Sequence, residues 1–229
     1  MNIQGMTKES LAKMFDHTNL KPDADRKAIE KLCTEAKEYG FASVMVNSAH
    51  TALCRKLMGD GPILVGTVAG FPLGQMSAAA KVFEARSAIA DGADEIDYVV
   101  NLSWVKDGEW EKVRDEMERM TGACHRLGAG CKVILETCCL TKEEIRRLCG
   151  IAREVRPDFV KTSTGFGTGG ATAEDVRLMK ETVGDAVKVK ASGGIRDWAA
   201  CRAMIEAGAE RIGASAGKKI LDEFMELGL

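Results

Sequence analysis

Short runs of apolar and β-branched residues alternate along the chain with longer stretches whose apolar residues recur every three or four positions. The first pattern predicts strands at SVMVN (43–47), ILVGTVAGF (63–71), EIDYVV (95–100), CKVILET (131–137), FVKTS (159–163), AVKVKAS (186–192) and RIGAS (211–215). The second predicts helices in segments such as DRKAIEKLCTEAKEYG, SAAAKVFEARSAIADGA, EWEKVRDEMERMTGACHRLG and TKEEIRRLCGIAREV. The ends of the periodic segments carry matching chemistry. Thr141 with Glu144 makes a capping box, Thr172 and Asp197 suit N-caps, and Gly40, Gly92, Gly128 and Gly208 fall where the periodicity stops.

Strand and helix alternating without a break predict a parallel sheet covered by helices. Seven strands are plain, and an eighth, short and polar, is expected at MFDHTNL (14–20). Eight would close a (β/α)8 TIM barrel, a single domain over residues 1–229 and compact beside the ~250 residues usual for that fold. The rival is an open doubly wound sheet, but no G-x-G-x-x-G follows a first strand. An internal echo, AIADGADEIDYVV against MIEAGAERIGAS, is explained by the glycine and alanine common in helix-to-strand turns.

Charge and composition remove several classes of function. The formal net charge is −2 and no basic run stands out, so neither nucleic acid nor an anionic membrane is favoured as a partner. The apolar stretch ILVGTVAGFPLG is too short and glycine-rich to cross a bilayer, and MNIQGMTKESLAKMFDH lacks the order of a secretion signal. A cytoplasmic location is expected. Eight cysteines without C-x-x-C, and three histidines without H-E-x-x-H, support no zinc ribbon, redox pair or catalytic metal. The cysteines are expected mainly as small buried hydrophobes, one exposed reactive thiol being the exception to watch for.

The positive chemistry lies at strand ends. VKTSTG (160–165) and VKASGG (189–194) share V-K-x-S-x-G, which puts Lys161 and Lys190 in equivalent slots of successive strand–helix units. Strand side chains alternate, so Lys161 and Lys190 point into a barrel mouth while Val160 and Val189 pack outward. Lys188 shares the inward face one layer deeper, near the barrel floor or in a charge pair. Two close ammonium groups repel, so one loses its proton more easily. An ordinary lysine offers a neutral amine in only about one molecule in a few thousand at pH 7, and a lowered pKa turns it into a nucleophile for carbonyls.

A Schiff-base reaction also needs a proton shuttle. Glu95 and Asp97 share one face of EIDYVV, Glu136 ends CKVILET, and Asp16 lies in the short strand beside His17, for which no partner is visible. Each carboxylate could equally be one half of a buried ion pair. The small residues that follow, Gly193 and Gly194 before Arg196, then Gly213, Ser215 and Gly217 before the last helix, suit a phosphate seat where barrel loops feed helix N-termini. Tight strand-to-helix turns use glycine for their own reasons as well.

With DHTNLKP, SVMVN, GADEIDYVVN, KVILET, FVKTSTGF and VKASGGIRD in order, the chain resembles the deoxyribose-phosphate aldolases, metal-free class I aldolases built on a (β/α)8 barrel. The resemblance implies that Lys161 forms the Schiff base, Lys190 perturbs it and Asp97 relays protons through water, with Asp16 in the same network. It implies that Gly165, Gly193, Gly194, Gly213 and Ser215 surround the substrate phosphate. The implied reaction is reversible cleavage of 2-deoxy-D-ribose 5-phosphate to D-glyceraldehyde 3-phosphate and acetaldehyde. The implied partners are phosphorylated sugars and aldehydes, with no cofactor, and a homo-oligomer (dimer or tetramer). Three positions depart from the pattern. Ala216 replaces a second phosphate-loop serine, Met45 stands where relatives often have cysteine, and the chain ends FMELGL without the tyrosine found in some members. Two rivals remain: an aldolase for another phosphorylated sugar, and a silent barrel that senses a sugar phosphate.

Overall fold

The computed structural model describes residue 3 and residues 5–227; positions 1, 2 and 4 of the opening segment and the last two of the FMELGL end lie outside the described residues. The strands are β1 (Phe15–Asn19), β2 (Ser43–Val46), β3 (Leu64–Ala69), β4 (Glu95–Val99), β5 (Gly130–Ile134), β6 (Phe159–Lys161), β7 (Lys188–Ser192) and β8 (Arg211–Ala214). All pair in parallel with their chain neighbours, and β1 closes on β8 through Phe15 opposite Ile212 and Asp16 opposite Gly213. The closed ring excludes the open-sheet alternative, and the polar segment at 14–20 does supply the first strand.

Helices α1 (Lys8–Ala12), α2 (Arg26–Tyr39), α3 (Thr51–Met58), α4 (Ala78–Ala90), α5 (Leu102–Lys106) and α6 (Trp110–Arg126) accompany the first half of the ring. The second half carries α7 (Lys142–Val155), α8 (Ala173–Val183), α9 (Trp198–Glu206) and α10 (Gly217–Glu226). The caps are those the sequence implies. Thr141 and Glu144 close a reciprocal capping box, Thr172 and Asp197 accept from the third residue of their helices, and Gly40 ends α2 at φ 70°.

Several strands stop short of their apolar runs. β6 ends at Lys161 although FVKTS continues, because Thr162 and Ser192 exchange side-chain bonds instead: Thr162 Oγ1 accepts from Ser192 N at 3.1 Å and donates to Ser192 O at 3.0 Å. β5 ends at Ile134, and Glu136 beyond it takes the left-handed conformation at φ 56°.

Outward-facing valines and isoleucines, among them Val44, Val133, Val160, Val189 and Ile212, are buried against the helices. Each stabilises the fold by about 1.5–3 kcal/mol relative to exposure. Inside the ring a smaller apolar group, Leu20, Met45 and Val68, occupies the side formed by β1 to β3. Gly66 makes room for it, since a Cβ there would lie 2.5 Å from the Met45 methyl. Much of the remaining interior is charged. Behind β4, a fully buried pair, Lys81 Nζ to Glu116 Oε1 at 2.7 Å, joins α4 to α6. Lys81 also donates to Val99 O and Glu116 accepts from Asn101 N, so the pair holds the end of β4 two residues beyond Asp97. Six cysteines are buried as expected, but Cys138 and Cys139 are both exposed, two thiols where one was anticipated.

Candidate active site

The interior charges belong to one network. Lys161 Nζ lies 2.8 Å from Asp97 Oδ2, and Lys190 Nζ lies 2.7 Å from the same oxygen. Lys190 also donates to Asp16 Oδ2, so it sits between two carboxylates. The strands explain the meeting, since Lys161 and Lys190 are register partners on β6 and β7 and both point inward. Asp16 further accepts from Ser43 Oγ at 2.7 Å and Arg211 Nη1 at 2.6 Å.

Two members of this network escaped the sequence reading. Lys132 donates to Glu95 Oε2 at 2.7 Å and to Asp97 Oδ1 at 2.9 Å, and its Nζ is 3.7 Å from Asp16. Arg211, besides Asp16, reaches Glu95 at 3.3 Å. A signal for Lys132 was present: Cys131 and Val133 face the helices, so the lysine between them must face in, where it is the register partner of Asp97. Arg211 opens its strand, a place where a solvated arginine is the ordinary expectation. Phe159 lies against the lower side of the network, with the Arg211 guanidinium 5.1 Å and the Lys132 ammonium 5.9 Å from its ring centre. Lys188 is at the barrel floor, exposed and 5.6 Å from the same ring.

Among the described residues, four cations (Lys132, Lys161, Lys190, Arg211) therefore face three carboxylates (Asp16, Glu95, Asp97) in a nearly dry space. One proton is in excess, and it leaves most readily from the cation with the fewest anionic partners. Lys161 contacts one carboxylate; each of the others contacts at least two. Burial first, then the charges of Lys190 and Lys132 against the pull of Asp97, lower the Lys161 ammonium to about 8. The repulsion expected between the lysines acts in the expected direction, and desolvation adds the larger share. Lys132 moves the other way: burial opposes its charge, but Asp97, Glu95 and Asp16 outweigh that and raise its pKa. Burial likewise disfavours the Asp97 carboxylate, yet Lys132, Lys161 and Lys190 together hold it well below the usual range.

Above the network opens a cavity of about 620 Å³ at the carboxyl ends of the strands. Lys161, Gly165, Gly193, Gly194, Arg196, Gly213 and Ser215 all line it, whereas Asp16, Asp97 and Lys190 are fully buried beneath. Gly193 and Gly194 are left-handed, at φ 86° and 78°. Gly213 has a second task, since a Cβ there would lie 3.0 Å from Lys190 Cε and push that lysine aside. Ala216 is the N-cap of α10 and supplies no side-chain acceptor, so the first-turn N–H groups beside Ser215 stay unclaimed by a cap.

His17, without a visible partner in sequence, bonds Glu35 of α2 through Nε2 at 2.8 Å and lies on the helix side of β1 against Phe41. Glu136, considered as an acid at a strand end, takes part in no lysine pair among the described residues. It turns to the loop after β6, where its carboxylate accepts from Thr164 N at 3.2 Å and from the Thr164 hydroxyl, which in turn accepts from Phe166 N. Phe166 meets Phe71 edge-on at 5.4 Å across the mouth. Glu136→Ala removes a buried acceptor from two donors and is expected to cost about 2 kcal/mol in thermal unfolding, with KM raised roughly tenfold as the loop loosens.

Known proteins resemble the chain throughout. Residues 10–223 match the family model described as DeoC/LacD family aldolase. A protein of Lactobacillus acidophilus named deoxyribose-phosphate aldolase is 50% identical over 214 residues, covering 93% of this chain and 90% of that protein. A namesake from Thermoanaerobacter pseudethanolicus is 53% identical, covering 95% and 98%. The solved structure described as a unique tetrameric deoxyribose phosphate aldolase from Aeropyrum pernix superposes with a TM-score of 0.90 at 33% identity, over 96% of this chain and 93% of that one.

Proposed function

We propose a reaction and a mechanism for this chain, which belongs to the DeoC/LacD family of aldolases: it reversibly cleaves 2-deoxy-D-ribose 5-phosphate to D-glyceraldehyde 3-phosphate and acetaldehyde through a Schiff base on Lys161. The observation that carries this reading is a buried lysine with a single carboxylate partner in a network holding one cation too many. With its pKa at about 8, roughly one Lys161 in ten is neutral at pH 7, far more than for an ordinary lysine.

The neutral amine adds to C1 of the open-chain sugar, and loss of water leaves a protonated imine. A water held by Asp97 takes the proton from the C3 hydroxyl. The C2–C3 bond breaks, its electrons move into the imine as an enamine, and glyceraldehyde 3-phosphate departs. Protonation of the enamine at C2, then hydrolysis, releases acetaldehyde and restores the amine. Asp97 Oδ2 suits the relay because it already touches both Lys161 and Lys190, so a proton has a short path to either ammonium. Asp16 anchors Lys190 from the other side.

The substrate phosphate is held by backbone N–H groups at Gly165, Gly193 and Gly194, by the rim at Gly213 and Ser215, and by the charge of Arg196, all on the cavity wall. The chain acts as a homo-oligomer, a reading supported by the tetramer described for the Aeropyrum relative. Incubation with acetaldehyde and borohydride, followed by peptide mass mapping, tests the mechanism. A reduced two-carbon adduct is expected on Lys161, and none in the folded Lys161→Arg variant. Folded wild type with no adduct on any lysine would leave a barrel that only binds sugar phosphates.

A further inference from the structure

Lys161 lines the cavity, and among the network members beneath it are two with no part in the proposed chemistry. Glu95 opens β4 and Arg211 opens β8, both toward the barrel floor. Arg211 bonds Asp16 and Glu95, and Glu95 accepts from Lys132. Neither contacts Lys161, yet both belong to the interior count of four cations against three carboxylates. The charged groups facing Lys161 come from every neighbouring strand: Asp97 from β4, Lys132 from β5, Lys190 from β7, and Asp16 behind Lys190 from β1.

We propose that Glu95 and Arg211 are positioning residues that set how many protons the barrel interior holds, and thereby the pH at which Lys161 becomes a nucleophile, without touching substrate. The inference rests on the Schiff-base reading of Lys161. Its physical basis is that charges in a dry, connected cluster act at longer range than in water. Removing Arg211 balances the cluster at three and three, and the proton on Lys161 is no longer in excess. Removing Glu95 leaves four cations on two carboxylates, so the Lys161 proton departs at lower pH.

The experiment is acetaldehyde–borohydride trapping at Lys161 as a function of pH. Arg211→Gln should move the half-maximal pH up by about one unit, and Glu95→Gln should move it down by about one unit. The charge-keeping Arg211→Lys and Glu95→Asp should leave it in place. The double variant Glu95→Gln/Arg211→Gln restores the single excess cation and should return the midpoint to that of wild type; if one single variant does not fold, the shift of the other carries the test. A shared direction of shift for both neutral variants, or a double variant away from the wild-type midpoint, overturns the inference. Wild type that traps at Lys161 while the variants' midpoints stay still overturns this inference alone; wild type that never traps overturns the Schiff-base reading with it.

Discussion

Lys190→Leu is expected to lower kcat/KM at pH 7 by about a thousandfold while the protein stays folded. The fold survives because Asp16 keeps Arg211, Lys132 and Ser43 as partners. The chemistry does not, for two separable reasons. The interior becomes balanced at three cations and three carboxylates, and Lys161 loses the repulsion of Lys190 while keeping the attraction of Asp97. Its pKa climbs from about 8 by roughly one to two units, which reduces the neutral fraction at pH 7 ten- to a hundredfold. The remainder is the loss of the ammonium beside Asp97 through which the proposed relay passes a proton. Trapping and turnover against pH separate the two: activity of the variant should go on rising to pH 10, whereas wild type flattens above about 8. A variant midpoint unchanged from wild type would refute the electrostatic part.

Asp97→Asn should divide the reaction differently. Lys161 loses its one carboxylate contact, so its amine is neutral at lower pH and trapping of acetaldehyde persists, with the midpoint moved down. Turnover should still fall by roughly 10³ to 10⁴, because the base proposed for the C3 hydroxyl proton is gone. Stability should drop by about 3 kcal/mol near neutral pH, as three ammonium groups lose a shared anion. The sign follows from linkage. Asp97 has its pKa held below that of an unfolded carboxylate, so its contribution is fully present above about 4 and is lost only as pH falls through its depressed native value. Denaturant titrations at pH 7 and pH 3 test this; a variant that neither traps nor turns over would show that Asp97 holds Lys161 in place more than it moves protons.

Most of the fold was legible because period alone separates strand from helix, and because capping residues mark where helices begin and end. The polar β1 was readable only by its position before the first long helix, since its inward Asp16 and outward His17 find partners far along the chain, in Lys190 and in Glu35. Lys161 and Lys190 could be named from parity and from the repeated V-K-x-S-x-G, whereas Asp97 and Asp16 were two acids among several that the family resemblance singled out. Lys132 obeyed the same parity but lacked a repeat to draw the eye. Glu136 misled because backbone conformation, which no periodicity records, turns its carboxylate to Thr164. Lys81 and Glu116 were hidden for a related reason: within amphipathic helices they look like solvated charges, and only the packing of α4 on α6 buries them.

The origin of each interior charge bears on how the barrel assembles. All three carboxylates come from β1 and β4, and all four cations come from β5 through β8. The first half of the ring is therefore an anionic trough and the second half a cationic one. Two identical halves could not close on each other, because each union would enclose like charges without counterions. Opposite halves attract, and the attraction falls away if they meet out of register, since a shift of one residue turns an inward lysine toward the helices. Closure of the ring is thus discriminated against homotypic and slipped pairings of its strands.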